Sequence, residues 1–271
     1  MGYYFYDMMV EKIGGAERKG KGDVRFMLQP RLMRAVDEFL AIGGNHDLEE
    51  YDKYRNKMLD FLREEDHLIL PPDDENIVLA RDVVHFIDAS KVYAKTTSSK
   101  EAYPHGRQFL ERMLASDFNN WHYYDLALLI SSVHLTESFE QARQLASKAE
   151  KRILQFQRIG TTNIWQGYLA FNMCGRILNA KYMDDKPSAL HFETWMEKLK
   201  LLVEVDKDLE LAWHITQIRW AIFNEDNSQI LIYLDSLVAD LGRKIGLMVR
   251  NEIEFYLGPD VFDAYFAYLN D

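Results

Sequence analysis

The chain has one cysteine, Cys174, among 271 residues. A lone thiol excludes an intrachain disulfide and a cysteine-cluster metal site. Set in Phe171-Asn172-Met173-Cys174, it reads as a small core residue rather than a nucleophile. No apolar run approaches the ~20 residues needed to span a bilayer. The opening MGYYFYDMMVEK lacks the basic stretch and apolar core of a secretory signal. Prolines number only six, and the composition is neither low-complexity nor disordered in type. These absences point to a soluble, cytoplasmic protein with no membrane partner.

Catalytic signatures are also missing. None of the histidines (His46, His67, His85, His105, His122, His134, His191, His214) forms the HExxH pair that sets two zinc ligands on one helical face. There is no GxSxG elbow. The acid pairs Asp73-Asp74 and Asp184-Asp185 fall in loops and look like helix caps. Gly15-Ala16-Glu17-Arg18-Lys19-Gly20-Lys21 fits the first seven positions of a phosphate-binding loop, but Gly22 stands where a magnesium-ligating Ser or Thr is needed, and no apolar strand leads in. The sequence nominates no catalytic residue, no metal and no cofactor, so the chain reads as non-enzymatic.

Charge is present but uneven. The net charge is −11. Residues 11–34 carry +4, and residues 35–271 carry −14. A short basic head on an acidic body confines any polyanion contact to the head, where Arg18, Lys19, Lys21 and Arg25 are the candidate DNA contacts. The plainer alternative is a solvated N-terminus.

From residue 30 onward the pattern is helical. Pro30 suits a first helical turn, and Gly43-Gly44-Asn45 suits its end. Tyr51, Tyr54, Met58, Phe61 and Leu62 share one face of a second helix over 47–65. Four antiparallel pairs follow, at about 75–92 with 101–116, 119–135 with 138–157, 161–182 with 188–205, and 208–224 with 227–242. Phe139, Ala142, Ala146, Ala149 and Ile153 recur at three- and four-residue spacing. All six prolines fall outside helix interiors or in a first turn. β-Alternation is nowhere sustained. The expected fold is all-α, with degenerate tetratricopeptide-like repeats winding into a right-handed superhelix. One hairpin cannot cover its own apolar face, so neighbours must stack, which leaves a wall of first helices able to bind an extended peptide.

Polar residues interrupt those first helices. Arg81, Asp82, His85 and Asp88 form one strip, Trp165, Tyr168, Asn172 and Asn179 another with Arg176 beside it, and His214, Gln217 and Trp220 a third. Asn and Gln offer a donor and an acceptor to a peptide amide, and Trp and Tyr offer apolar area at low entropic cost. The alternative is that these residues cap loops, face solvent or hold helix pairs together.

Residues 120–132, Asn-Trp-His-Tyr-Tyr-Asp-Leu-Ala-Leu-Leu-Ile-Ser-Ser, are similar to the Asn-Trp-Gly-Tyr-Tyr-Glu…Leu…Asn-Ser segment of the Rgg/GadR/MutR transcriptional regulators of Gram-positive bacteria, with Ser131 at the family's Asn. Leu169-Ala170-Phe171-Asn172 resembles that family's Asn-containing helix, and Arg81 lies where a basic residue often occurs. Ala16-Glu17-Arg18-Lys19-Gly20-Lys21-Gly22-Asp23-Val24-Arg25-Phe26 and Val36-Asp37-Glu38-Phe39-Leu40 resemble the latter half of its DNA-binding domain. The resemblance covers roughly residues 11–257.

It implies a homodimeric regulator whose repeat domain, 41–271, binds a short signalling peptide and controls promoter binding. Residues 1–40 would be the remnant of a helix-turn-helix. The family's first two helices have no room before Glu17, and Met8, Met9, Val10 and Glu11 stand where base-reading residues are expected. DNA is therefore a partner only if the helix-turn-helix is complete. The peptide contacts drawn from the strips and the resemblance together are Arg81, His85, Ser131, Tyr168, Asn172, Arg176, Gln217 and Trp220. The apolar stretch Val261–Leu269 is a candidate dimer surface. An alternative is a peptide- or protein-binding module that no longer binds DNA and acts by sequestration or mixed dimers.

Overall fold

The apolar stripes read from the sequence become the inner faces of helices. The computed structural model describes residues 28–42, 48–66, 73–96, 98–117, 121–156, 162–181 and 189–241, in which every regular element is a helix. The chain divides into two compact units, Met1–Leu135 and Thr136–Asp271. The proposed DNA contacts Arg18, Lys19, Lys21 and Arg25, the GxxxxGK stretch and the apolar Val261–Leu269 lie outside the described residues.

The described part of the first unit holds α1 (Pro30–Ile42), α2 (Leu48–Asp66), α3 (Glu75–Thr96), α4 (Ser99–Ala115), α5 (Tyr123–Ser132) and a 3-10 turn at Val133–Leu135. Helix α3 is central and packs against α1, α2, α4 and α5. Phe39 of α1 meets Tyr51 and Tyr54 of α2 at 6.0 Å between ring centres and Phe86 of α3 at 5.7 Å. The face predicted on α2 is the buried one, with Tyr51, Tyr54, Met58 and Phe61 all in the core. Helices α3 and α4 approach closely at Gly106, where a Cβ would lie 3.1 Å from that of Ala89.

Helix starts follow local chemistry. Asp74 accepts the Asn76 N–H at 2.9 Å, so one carboxylate of the predicted cap serves the first turn of α3. Ser98 accepts the Glu101 N–H at 3.2 Å at the head of α4. The helix thus begins at Ser99, earlier than expected, and Pro104 lies inside it rather than in its first turn. The ring removes one intrahelical hydrogen bond at a solvent-exposed position. The single helix expected over 119–135 is instead α5 followed by the 3-10 turn.

The second unit holds α6 (Phe139–Gln155), α7 (Thr162–Lys181), α8 (Ala189–Val203), a 3-10 turn at Lys207–Leu209, α9 (Glu210–Phe223) and α10 (Asn227–Leu241) among its described residues. Phe139, Ala142, Ala146, Ala149 and Ile153 of α6 are all buried. Helices α7 and α8 form one hairpin and α9 and α10 another, with α9 packed on both α7 and α8. A left-handed residue, Glu225 at φ 59°, follows the end of α9, and Asp226 accepts the Gln229 N–H at 3.2 Å to start α10.

Two glycines let α9 and the 3-10 turn that leads into it approach α7. A Cβ on Gly167 would fall 2.5 Å from a Leu209 methyl, and one on Gly175 would fall 3.1 Å from Arg219 Nη1. Residue number rises along both helices from one contact to the other, so the two first helices run in the same direction, as stacked hairpins require. Leu209 is fully buried and has little freedom to retreat. Gly167→Ala should therefore overpack this junction and lower stability by about 1–3 kcal/mol, read from urea unfolding. An unchanged midpoint would show that α7 and α9 are not held together there.

Candidate functional site

Sequence reasoning placed polar side chains on the first helix of each hairpin. In the first unit Arg81 is exposed on α3, with His85 half-buried one turn on and Ser131 half-buried on α5. The rest of the α3 strip is used internally. Asp88 is gripped by Arg55 of α2 through two hydrogen bonds, at 2.6 and 3.2 Å. Asp52 of α2 pairs with Lys91 of α3. Asp82, expected to share the open strip, is turned inward and is 5% exposed. It lies one residue from Arg81, roughly 100° around the helix.

In the second unit Tyr168 is 44% exposed on α7, and Asn172 is half-buried one turn later. Arg176, one further turn along, is wholly buried and donates from Nε to Thr136 Oγ1 at 3.1 Å. Its side chain holds helix packing and offers no surface to a ligand. On α9, Gln217 and Trp220 are half-buried. Trp220 stacks on Phe223, with ring planes 7° apart and centres at 5.9 Å, and meets Phe192 at 5.2 Å. Between the two helices Arg219 donates to the Phe171 carbonyl at 2.9 Å and lies 4.0 Å above the Phe171 ring. His214 is 7% exposed, its Nε2 lies 3.4 Å from Asp240, and burial lowers its pKa against the pull of Asp240 and Glu210. The Cys174 thiol is buried and pushed up to about 12, so it is inert as a nucleophile.

The sequence reading missed a charged cluster around the first turn of α5. Arg112 of α4 donates from one nitrogen, Nη2, to both Asp82 of α3 and Asp125 of α5, the latter at 2.7 Å. Asp125 also accepts the His122 N–H at 2.9 Å, which caps the helix. The His122 ring reaches Glu75 at 3.2 Å, and Tyr124 donates to Asp37 of α1 at 3.1 Å. Burial pushes Asp82 up to about 7, with Arg112 opposing and Asp125 adding to the rise. Burial likewise pushes Asp37 up to about 6, against the Tyr124 hydrogen bond. The one local signal was His122-x-x-Asp125, the spacing of a helix cap with a carboxylate at its third residue.

Two cavities lie among the described residues of the first unit. One of about 320 Å³ lies between α1 and α2, lined by Arg31, Arg34, Lys57, Met58 and Phe61 among others. One of about 180 Å³ lies beside the charged cluster, lined by Leu28, Glu75, Arg112, His122, Tyr124 and Asp125 among others. Neither is lined by a residue singled out for peptide binding. Among the described residues, no group of three or more His, Cys, Asp or Glu is placed to hold a metal, and no helix is long and apolar enough to cross a membrane. No family model matches the chain, and no curated protein or solved structure matches it.

The geometry separates residues that sequence placed together. Arg176→Ala should lower stability by roughly 2–4 kcal/mol, because it empties a wholly buried site. Asn172→Ala on the same helix should cost less than about 1 kcal/mol. Equal shifts in the two urea midpoints would contradict this division.

Proposed function

We propose that the chain is a peptide-responsive transcriptional regulator of the Rgg/GadR/MutR type, whose helical-hairpin body binds a short peptide and whose basic head contacts promoter DNA. The observation that carries the peptide-binding reading is the pair of co-directional first helices in the second unit. Tyr168 and Asn172 on α7 and Gln217 and Trp220 on α9 keep partial access to solvent while the apolar residues beside them are buried. Amide side chains and aromatic faces on rigid helices suit an extended peptide, whose backbone needs donors and acceptors and whose side chains need apolar cover.

Burial also fits the resemblance at residues 120–132. Trp121 is 1% exposed and donates to Ser116 at 2.6 Å, and Tyr124, Leu126 and Leu129 are core residues. The body's negative charge keeps DNA contact to the head. Homodimerisation and a cytoplasmic location belong to the same proposal.

A ligand that binds only the folded chain stabilises it by mass action, by about 2.7 kcal/mol at a hundredfold excess over Kd. Thermal melting of the full chain against a panel of short hydrophobic peptides should therefore show a concentration-dependent rise for at least one of them. Asn172→Ala and Gln217→Ala should each weaken that peptide's binding by roughly tenfold, the loss of about one to two hydrogen bonds. No rise with any peptide at high micromolar concentration would overturn the peptide reading. Gel retardation at low salt tests the head separately: a shift supports promoter binding, and none removes DNA from the proposal.

A further inference from the structure

None of the residues proposed for peptide binding belongs to the cluster around α5, whose geometry is unusual in a specific way. Asp82 and Asp125 come from different helices and converge on the same nitrogen of Arg112. The Arg112 Nε is buried and has no acceptor. One cation therefore faces two carboxylates through one of its three nitrogens, and Asp82 has almost no access to water. With both carboxylates ionised, the cluster carries an uncompensated negative charge, and on the Asp82 side solvent screens it little.

We propose that the first turn of α5 is a proton-operated clasp: a proton held on Asp82 leaves Arg112 to Asp125 and keeps this turn joined to α3 and to Arg112 of α4, and its loss favours a conformation in which this turn opens and Asp82 is hydrated. The proposal goes beyond peptide binding and stands independently of it. The groups facing the clasp are Glu75 and Asp82 on α3, Arg112 on α4, Asp37 on α1, and His122, Tyr123, Tyr124 and Asp125 at α5. Tyr123 stays protonated, because burial and the neighbouring Asp37 both hold its proton on.

The direction follows from linkage. A carboxyl that binds its proton more tightly in the closed form favours closure at low pH, and this is lost as pH rises from its ordinary value, near 4, to its value in the closed form. For Asp82 that window runs up to about 7. Asp37 adds a similar effect only up to about 6, so the two can be separated.

The test is hydrogen exchange of the full chain, followed over residues 121–132 and corrected for intrinsic exchange rates. From about pH 6 to about pH 7.5 the opening constant there should rise roughly 5- to 10-fold. In Asp82→Asn, which keeps the shape without the charge, that rise should fall to about twofold or less, the remainder left by Asp37. Carbon-13 NMR of the aspartate carboxyls in the unmodified chain supplies a readout that needs no variant: one carboxyl should titrate between about pH 6 and about pH 8. Exchange that is flat across this range, a rise that persists undiminished in Asp82→Asn, or no aspartate titrating above about pH 6 would each overturn the clasp.

Discussion

The helices of the described structure have apolar faces that no single neighbour covers, and the architecture within each unit follows from the need to bury them. In the first unit that need makes α3 the common neighbour, because its length allows α1, α2, α4 and α5 each to cover part of it. In the second unit α7 has the same role for α6, α8 and α9. Burial sets how close the helices come, and closeness then dictates small residues at crossings. Gly106 against Ala89 and Gly167 against Leu209 are the places where the constraint is visible atom by atom.

That dependence explains what was legible beforehand. Hydrophobic spacing reports a buried face directly, so Phe139–Ile153 and Tyr51–Phe61 could be placed without coordinates. Helix ends were less legible, because a cap is a contest between neighbouring residues. Ser98 takes the cap of α4 although Pro104 then falls inside the helix. His122 stays extended because the Asp125 carboxylate turns back onto the His122 N–H. Neither outcome is encoded in periodicity.

Polar residues were the least legible, for a physical reason. A polar side chain on a half-buried helix can meet a ligand, a neighbouring helix or water, and spacing alone assigns the same stripe in all three cases. Arg81 and Asp82 are adjacent in sequence, yet one faces solvent and the other is the buried arm of an ion cluster. Tyr168 and Arg176 lie eight residues apart on one helix, yet only the first is accessible. The deciding variable is the position of the next helix, which is a tertiary property. Candidate peptide contacts could therefore be named by type, and then sorted only by burial.

The charged cluster shows the same limit from the other side. Its members were scattered through the sequence as a polar-strip residue (Asp82), an unremarked arginine (Arg112) and part of a similar segment (Asp125). A buried ion pair is weak evidence for stability, since apolar residues of similar shape often do as well or better. One guanidinium between two carboxylates is weaker still, because the second negative charge has no cation of its own. Packing of α5 against α3 and α1 therefore cannot be credited to these charges in their ionised form. It rests on Leu126, Leu128, Leu129 and the surrounding core, while the charges make that packing conditional on how many protons the cluster holds.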